Sequence, residues 1–330
     1  MIKFATIGRG KIVDCFIEGA KLSDELQLNA VYSRSRNDGE AFAKKHGAKK
    51  VYTSLVDLAA DPEIDAVYIA SPNLFHAEQS KFLLNSGKHI LCEKPIACSA
   101  DEYKSVKELA DKKGLIYMEA IIPIYSPFRK AVKSAVNNVG NISLVRLDYC
   151  QLSSRYSDFC SGVHTNIFDM SLHAGALMDL GVYCVYAAVD LFGVPKSITA
   201  SASFPHNEAD GSGSAIFEYD GFSVLLSYSK TGQSVTPSEI VGDKGSVTIG
   251  KLGLYADARI IKDGIETPLT CFTPKEELMS FEASAFARFI KGQDARDYRQ
   301  NSQLCLNVHA CLDAIKQSAN IKYPEYKENK

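Results

Sequence analysis

The sequence lacks the features that define several large classes of protein. Its 37 Lys and Arg are balanced by 39 Asp and Glu, giving a net charge of −2 over 330 residues. This balance gives no indication of nucleic-acid binding, which usually needs a clustered basic surface. There is no internal repeat and no low-complexity segment, and the nine cysteines include no C-x-x-C pair. We therefore expect reduced thiols, no metal site and no nucleic-acid partner.

We expect neither a signal peptide nor a membrane span in this sequence. The N-terminal apolar run, residues 2–7, is too short for a signal peptide and is followed at once by turn residues. The least polar long stretch, residues 173–194, contains Asp179 and Asp190. Ionised carboxylates are costly at the centre of a bilayer, so we expect a core helix there. The expected location is the cytoplasm, with no membrane partner.

The first 120 residues alternate short apolar runs with segments of helical periodicity. Predicted strands lie at residues 2–7, 26–32, 51–52, 66–70, 89–92 and 115–118. Strands that alternate with helices predict βαβ units and a Rossmann-type, doubly wound parallel sheet. Residues 1–120 are therefore predicted to form an NAD(P)-binding domain.

Beyond residue 120 the pattern changes to short strands separated by turns. They are predicted at residues 142–150, 197–204, 213–219, 222–229, 237–242, 246–250 and 258–262. This run predicts an α+β domain over residues 121–330, built on a large, mostly antiparallel open sheet. A long loop is predicted at residues 151–168. Four helices are predicted at residues 126–138, 176–192, 275–291 and 299–318. The last two helices are compatible with packing on either domain.

A glycine-containing turn joins the first predicted strand to the first helix. It consists of Gly8, Arg9, Gly10, Lys11 and Ile12. The first glycine permits a tight turn, and the second lets the backbone approach a pyrophosphate at the helix N-terminus. Val13 stands where a third Gly or Ala is usual. The strand-turn-helix context favours a dinucleotide site over an ordinary turn.

The end of the second strand indicates which dinucleotide is bound. An NAD site usually has Asp or Glu there for the ribose 2′-OH, but this chain has Ser33 and Arg34, with no carboxylate before Asp38. Ser33 is able to donate to a 2′-phosphate, and Arg34 to pair with it. We therefore favour NADP(H), with NAD(H) still possible. The alternative is that Arg34 and Arg36 are only solvated surface charges.

Polar residues follow the fourth and fifth strands, where ligands bind in such sheets. Ser71, Pro72, Asn73 and His76 follow the fourth, and Glu93-Lys94-Pro95 follows the fifth. A lysine there can stabilise alkoxide charge on a substrate. Lys94 is also compatible with a surface lysine in a turn, and His76 with a structural histidine.

Asp179 and Tyr183 are four residues apart in a predicted helix, so they share one face. Tyr183 is a candidate general acid/base for a hydroxyl proton, with a phenolate that Lys94 can favour. Asp179 is a candidate to orient the substrate or to tune the Lys–Tyr pair. The alternatives are that Tyr183 is a core aromatic residue and that Asp179 only stabilises a helix dipole.

Together these motifs resemble the Gfo/Idh/MocA family of NAD(P)-dependent oxidoreductases. The resemblance includes Glu93-Lys94-Pro95, Met118-Glu119-Ala120 and Ile321-Lys322-Tyr323-Pro324. The segment 175–183 is most similar to the dimeric dihydrodiol dehydrogenase and NADP-xylose dehydrogenase branch, although many relatives have His in place of Tyr183. The predicted cofactor-binding residues are Gly8, Arg9, Gly10, Lys11, Ile12, Ser33, Arg34, Ser71, Pro72, Asn73, His76, Glu93, Lys94 and Glu119.

The resemblance implies an oxidoreductase that transfers hydride between the nicotinamide and a secondary alcohol or carbonyl of a sugar, polyol or diol. Lys94, Tyr183 and Asp179 are its candidate catalytic residues, and His164 and His173 are candidate substrate contacts. It also implies a homodimer formed through the second-domain sheet. Two alternatives stay open: a cofactor-binding regulator without turnover, and an enzyme that uses NAD(P) for transient internal redox.

Overall fold

The computed structural model describes residues 1–324, apart from the side chain of Asn207. The chain divides into two compact units. Of the described residues, the first contains Met1–Ser126 and Thr273–Ser302, and the second contains Pro127–Phe272 and residues 303–324. This differs from the predicted division into two continuous segments at residue 120. The helix that follows Pro274 packs on the first helix of the chain, where a Cβ at Gly19 would lie 2.9 Å from the Cβ of Met279.

The first unit contains the predicted doubly wound parallel sheet. Its strands, numbered along the whole chain, are β1 (Ile2–Ile7), β2 (Leu26–Tyr32), β3 (Lys50–Tyr52), β4 (Ala66–Ile69), β5 (His89–Glu93) and β6 (Tyr117–Ala120). They lie in the order β3-β2-β1-β4-β5-β6, and all neighbours are parallel. The strand order reverses between β1 and β4, which is where ligands bind in open α/β sheets.

Helices connect these strands and pack on the sheet. Those of the first unit are α1 (Lys11–Ser23), α2 (Arg36–His46), α3 (Leu55–Ala60), α4 (His76–Asn85), α5 (Ala100–Lys113), α6 (Ile122–Tyr125) and α10 (Lys275–Ile290). The last helix of the chain, α11 (Ala295–Ser318), begins in this unit. Phe16 of α1 stacks on Tyr68 of β4 in the core, with ring centroids 3.9 Å apart. This contact fixes α1 over the strand whose end faces the phosphate loop.

The second unit contains an eight-stranded, mostly antiparallel sheet. Its strands are β7 (Ile142–Cys150), β8 (Ser197–Ser203), β9 (Ser212–Glu218), β10 (Ser223–Ser229), β11 (Ser238–Gly242), β12 (Gly245–Lys251), β13 (Ala256–Lys262) and β14 (Ile265–Pro268). The order is β14-β13-β12-β11-β7-β10-β9-β8, and within this sheet, among the described residues, only β7 and β10 pair in parallel. All four residues of β14 are exposed, so that strand has no apolar alternation by which the sequence would predict it.

The described helices of the second unit are α7 (Phe128–Val136), α8 (Tyr156–Cys160), α9 (Val182–Phe192) and the part of α11 from Gln303 onward. By length and composition alone, Met170–Phe192 could cross a membrane, but 78% of the apolar window is buried in the structure, as in a core helix. Asp190, at its buried end, pairs with Arg129 at 2.6 Å and Lys133 at 2.9 Å, so its charge is compensated. The predicted loop at 151–168 contains α8 and a short 3₁₀ turn at Asn166–Phe168.

Candidate active site

The turn between β1 and α1 needs its two glycines for different reasons. Gly8 has φ of 109°, and a Cβ there would lie 2.5 Å from the Ala70 carbonyl oxygen at the end of β4. At Gly10 a Cβ would meet nothing within 4 Å. Packing within the chain therefore requires Gly8 but not Gly10. The open space beside Gly10 suits the close approach of a ligand to the backbone.

The N-terminus of α1 offers backbone amides to an anion. Ser35, Ser54 and Ser99 cap α2, α3 and α5, and each side chain accepts a backbone N–H. Gly10 caps α1 without a side-chain hydrogen bond. The first N–H groups of a helix have no intrahelical partner, and the dipole favours negative charge there. This turn and helix fit the pyrophosphate of a dinucleotide.

The end of β2 presents one arginine that makes no ion pair in the described chain. Arg34 is exposed, whereas Arg36 pairs with Glu40 at 3.4 Å. Arg9 of the phosphate loop pairs with Asp38 at 3.1 Å. Ser33 is buried, and its hydroxyl donates to the Ser35 carbonyl at 2.7 Å. Ser33 thus uses its proton within the turn, so Arg34 is the better candidate for contact with a 2′-phosphate.

His76 joins the loops that follow β4 and β5. Its Nε2 lies 2.7 Å from the Ser71 carbonyl oxygen, and its Nδ1 lies 2.8 Å from the Pro95 carbonyl oxygen. Burial lowers the pKa of His76, and the two carbonyls oppose that shift. The ring is fully buried, which gives it a structural role between the two loops. Asn73 begins a 3₁₀ turn after Pro72, and the Ser71 hydroxyl donates to Gln79 at 2.7 Å.

Two buried carboxylates hold the backbone on either side of Lys94. Glu93 accepts the Tyr68 hydroxyl at 2.5 Å, and burial raises the pKa of Glu93 above its usual value. Glu119 accepts the Ile96 amide at 2.9 Å. Both were predicted to bind the cofactor, but the structure buries both side chains. Lys94 itself is only half-buried, and its peptide bond to Pro95 is cis.

Asp179 and Tyr183 occupy the one incompletely buried face of their helix. The chain forms a π-helical turn at Leu177–Gly181 and then continues as α9. Every other residue of Leu177–Asp190 is buried. Tyr183 packs against the Tyr149 ring at 5.3 Å between centroids. The partial exposure of both side chains favours a functional role over the core role that we considered for Tyr183.

The π turn is held by a residue that the sequence analysis missed. The Asp210 carboxylate accepts the Leu177 amide at 2.7 Å, and its main-chain carbonyl accepts the Ala176 amide at 2.7 Å. At Gly175, with φ of 138°, a Cβ would lie 2.0 Å from Asp210 Oδ1. Burial raises the pKa of Asp210 to about 7. The helix predicted at 176–192 therefore begins with a wider turn and is α-helical only from Val182, and such π turns are often found at functional sites.

A second missed residue is Lys230, directly after β10. Its ammonium lies 2.7 Å from Asp179 Oδ2, and its side chain is only 3% exposed while that of Asp179 is 40% exposed. It also donates to the Ile167 carbonyl at 3.2 Å. No motif surrounds Lys230, and the only local signal is a charge at the end of a strand.

The two candidate substrate histidines differ in environment. His164 is exposed and pairs with Asp169 at 2.9 Å. His173 has φ of 54° and stacks on Tyr323 at 4.6 Å between centroids. Burial lowers the pKa of His173, which favours its neutral form. His164 is thus the more exposed of the two, and His173 is half-buried.

The fold and these side chains define a class of protein: a nicotinamide-dependent oxidoreductase with a Rossmann-type unit and an open-sheet unit. Residues 2–121 match the model described as "Oxidoreductase family, NAD-binding Rossmann fold", and residues 130–248 match the GFO/IDH/MocA C-terminal domain. The chain belongs to the GFO/IDH/MocA oxidoreductase family. The predicted family, fold class and enzyme class are confirmed.

Similar proteins include several dehydrogenases. The chain is 37% identical to a scyllo-inositol 2-dehydrogenase (NADP(+)) of Bacillus subtilis (strain 168), over 98% of this chain and 99% of that protein. It is 28% identical to a trans-1,2-dihydrobenzene-1,2-diol dehydrogenase of Xenopus laevis, over 80% of each. A 3-ketoreductase from Actinomadura kijaniata, solved with NADP and TDP-benzene, superposes with a TM-score of 0.84 at 20% identity, over 96% of this chain and 98% of that chain. The name of the Bacillus subtilis enzyme specifies NADP(+), in agreement with the predicted NADP(H).

Proposed function

We propose that the protein is an NADP(H)-dependent dehydrogenase for a secondary alcohol of a polyol, sugar or diol. The observation that carries the proposal is the similarity, over almost the full length of both chains, to an NADP(+)-dependent inositol dehydrogenase. The exposed Arg34 at the end of β2 supports the choice of NADP(H), because no carboxylate stands there to bind a ribose 2′-OH.

The first unit contains the residues that would hold the cofactor. The amides at the start of α1 and the open space at Gly10 suit the pyrophosphate, and Arg34 suits the 2′-phosphate. When bound, the oxidised nicotinamide supplies the acceptor for hydride from the alcohol carbon. His76, Glu93 and Glu119 act indirectly in this proposal, since they fix the loops around Lys94.

Three side chains act on the substrate in this proposal. The Lys94 ammonium hydrogen-bonds the reacting oxygen and stabilises negative charge as it develops. Tyr183 takes the hydroxyl proton during oxidation and returns it during reduction. Asp179, which remains 40% exposed while paired, hydrogen-bonds a substrate hydroxyl and orients the ring or chain.

The test is a panel of polyols, sugars and diols, starting with scyllo-inositol, with NADP⁺ and then NAD⁺. We expect absorbance at 340 nm to rise with at least one substrate and NADP⁺. Lys94→Met should lower kcat by about 100-fold, as loss of one stabilising donor does, with the NADPH Kd within twofold of wild type. Lys104→Met, on the exposed side of α5, is the matched control and should be neutral. Unchanged turnover in Lys94→Met would contradict the proposed role, and tight cofactor binding without net absorbance change would favour internal redox.

We also propose that the outer face of the eight-stranded sheet forms a homodimer. Ile216 and Leu225 are directly opposite each other on β9 and β10 and are 43% and 38% exposed. Apolar side chains together on an exposed sheet face are typical of a protein interface. Light scattering should give twice the 36.1 kDa chain mass, and Leu225→Glu should shift the protein towards one chain mass. A wild-type mass of one chain at micromolar concentration would refute the dimer.

A further inference from the structure

Lys230 is a buried cation whose partner is not buried. Its ammonium lies 2.7 Å from Asp179 Oδ2, and the two side chains are 3% and 40% exposed. Moving an ammonium out of water is costly unless it is paired and hydrogen-bonded. Burying the carboxylate as well would add a second desolvation cost, so the pair does not need an enclosed partner. Here the lysine is enclosed and the carboxylate is left accessible, which suits a carboxylate that must meet a ligand.

The position of the Lys230 ammonium is fixed from several directions. The Lys230 amide donates to the Gly211 carbonyl at 2.8 Å, and the Lys230 carbonyl accepts the Ser153 amide at 2.9 Å. The ammonium lies 5.4 Å from the centroid of the Phe168 ring, within the range of a cation–π contact. It also donates to the Ile167 carbonyl at 3.2 Å. The cation therefore contacts both the segment 151–173 and the π turn that carries Asp179.

We propose that Lys230 is a positioning residue for the reaction: its ammonium orients Asp179 and ties the segment 151–173 to the π turn. This inference rests on the proposed function, because it assumes that Asp179 contacts the substrate. Lys230 touches the substrate only through Asp179 in this arrangement. Its loss should misplace the carboxylate and the segment that contains Ile167 and Phe168, with no change in the first unit.

A double-mutant cycle tests the inference. Lys230→Met, Asp179→Asn and the double variant are compared with wild type in kcat and KM for scyllo-inositol, or for the best substrate of the panel, and in NADPH Kd. We expect each single variant to lower kcat/KM at least tenfold, with the NADPH Kd within twofold. The double variant should be no worse than the poorer single one, because both changes remove the same interaction. Lys196→Met is the control, since it removes an exposed lysine paired with Asp220 in the same unit.

Further measurements separate this role from a loss of stability. Thermal unfolding is followed for each variant, and Lys230→Arg keeps the charge if Lys230→Met does not fold. Lys230→Gln keeps hydrogen-bond donors but removes the charge, so Lys230→Arg should retain more of kcat/KM than Lys230→Gln. Equal losses of kcat/KM in these two variants would overturn the inference. Near wild-type activity of Lys230→Met, or losses that multiply in the double variant, would also overturn it while leaving the proposed function intact. Wild-type turnover of Asp179→Asn would instead show that the proposed role of Asp179 is wrong.

Discussion

Replacing Asp210 with Asn should reduce the dependence of stability on pH. The carboxyl group is fully buried, Oδ2 accepts the Leu177 amide at 2.7 Å, and Oδ1 has no hydrogen-bond partner among the described residues. Burial is the largest influence and raises the pKa of Asp210 from 3.8 to about 7, although the Leu177 amide and Lys230 oppose it. The native protein therefore keeps this proton at a pH where the unfolded chain has lost it.

The sign and the size of the effect follow from proton linkage. As the pH rises from about 4 to about 7, ionisation at this position stabilises the unfolded chain, whereas the native state stays protonated and is not stabilised. The pKa difference of about three units, from 3.8 to about 7, corresponds to about 4 kcal/mol of stability lost over that range. About two of these three pH units lie between pH 5 and pH 7, so roughly 3 kcal/mol of the stability is lost in that interval.

The assay is urea unfolding of wild type and Asp210→Asn at pH 5 and pH 8. Asparagine keeps an acceptor for the Leu177 amide but adds a donor that needs a partner, at a cost of about 1–3 kcal/mol at both pH values. The difference in unfolding free energy, variant minus wild type, should become more positive by roughly 3 kcal/mol at pH 8. Asp220→Asn, an exposed change in the same unit, should alter stability by less than about 0.5 kcal/mol. A difference for Asp210→Asn that is equal at the two pH values would refute the reasoning.

Three further outcomes are expected in the first unit. Arg34→Ala should weaken NADPH binding by about 10- to 100-fold in a fluorescence titration, since charge-assisted hydrogen bonds contribute about 1.5–3 kcal/mol. The affinity for NADH should stay the same in Arg34→Ala, and Arg36→Ala serves as the control. Equal losses of affinity for both cofactors in Arg34→Ala would contradict the assignment of Arg34 to the 2′-phosphate. Burial raises the pKa of Glu282, so the wild-type protein loses stability as the pH rises above the pKa of this group in the unfolded chain. In urea unfolding, the unfolding free energy of Glu282→Gln minus that of wild type should therefore be more positive at pH 8 than at pH 5. The reverse order would show that the native carboxyl is ionised. Phe16→Ala should lower the unfolding free energy by about 3–5 kcal/mol, since the ring stacks on Tyr68 in the core, and a loss under 1 kcal/mol would mean that the site collapses around the gap.

Elements with strong periodicity were predictable from the sequence. The parallel sheet of the first unit followed from apolar runs that alternate with helical segments, and the phosphate loop from its glycines in that context. Strand β14 was not predictable, because all four of its residues are exposed and no alternation marks it. The π turn at Leu177–Gly181 was also hidden, since its apolar residues fit an α-helical pattern as well. What distinguishes it is the Asp210 carboxylate, 33 positions from Leu177, which accepts the amide at its start.

The candidate site was predictable only where its residues lie in short motifs along the chain. Lys94, Asp179 and Tyr183 lie in short motifs, so local sequence identifies them as candidates for chemistry. The role predicted for Ser33 depended on where its hydroxyl points, and the structure turns it onto the Ser35 carbonyl. The orientation of a side chain is set by neighbours in space, which a pattern of residue types does not contain.

The groups that hold the site share this property. Tyr68 holds Glu93 from 25 positions away, and Glu119 holds the Ile96 amide from 23 positions away. Lys230 pairs with Asp179 from about twice as far along the chain, with no motif around it. A group that only holds another need reach one atom at one distance, and several residue types at many positions can do that. Local motifs therefore identify candidate reacting groups, and the groups that contact and hold them emerge only from the folded chain.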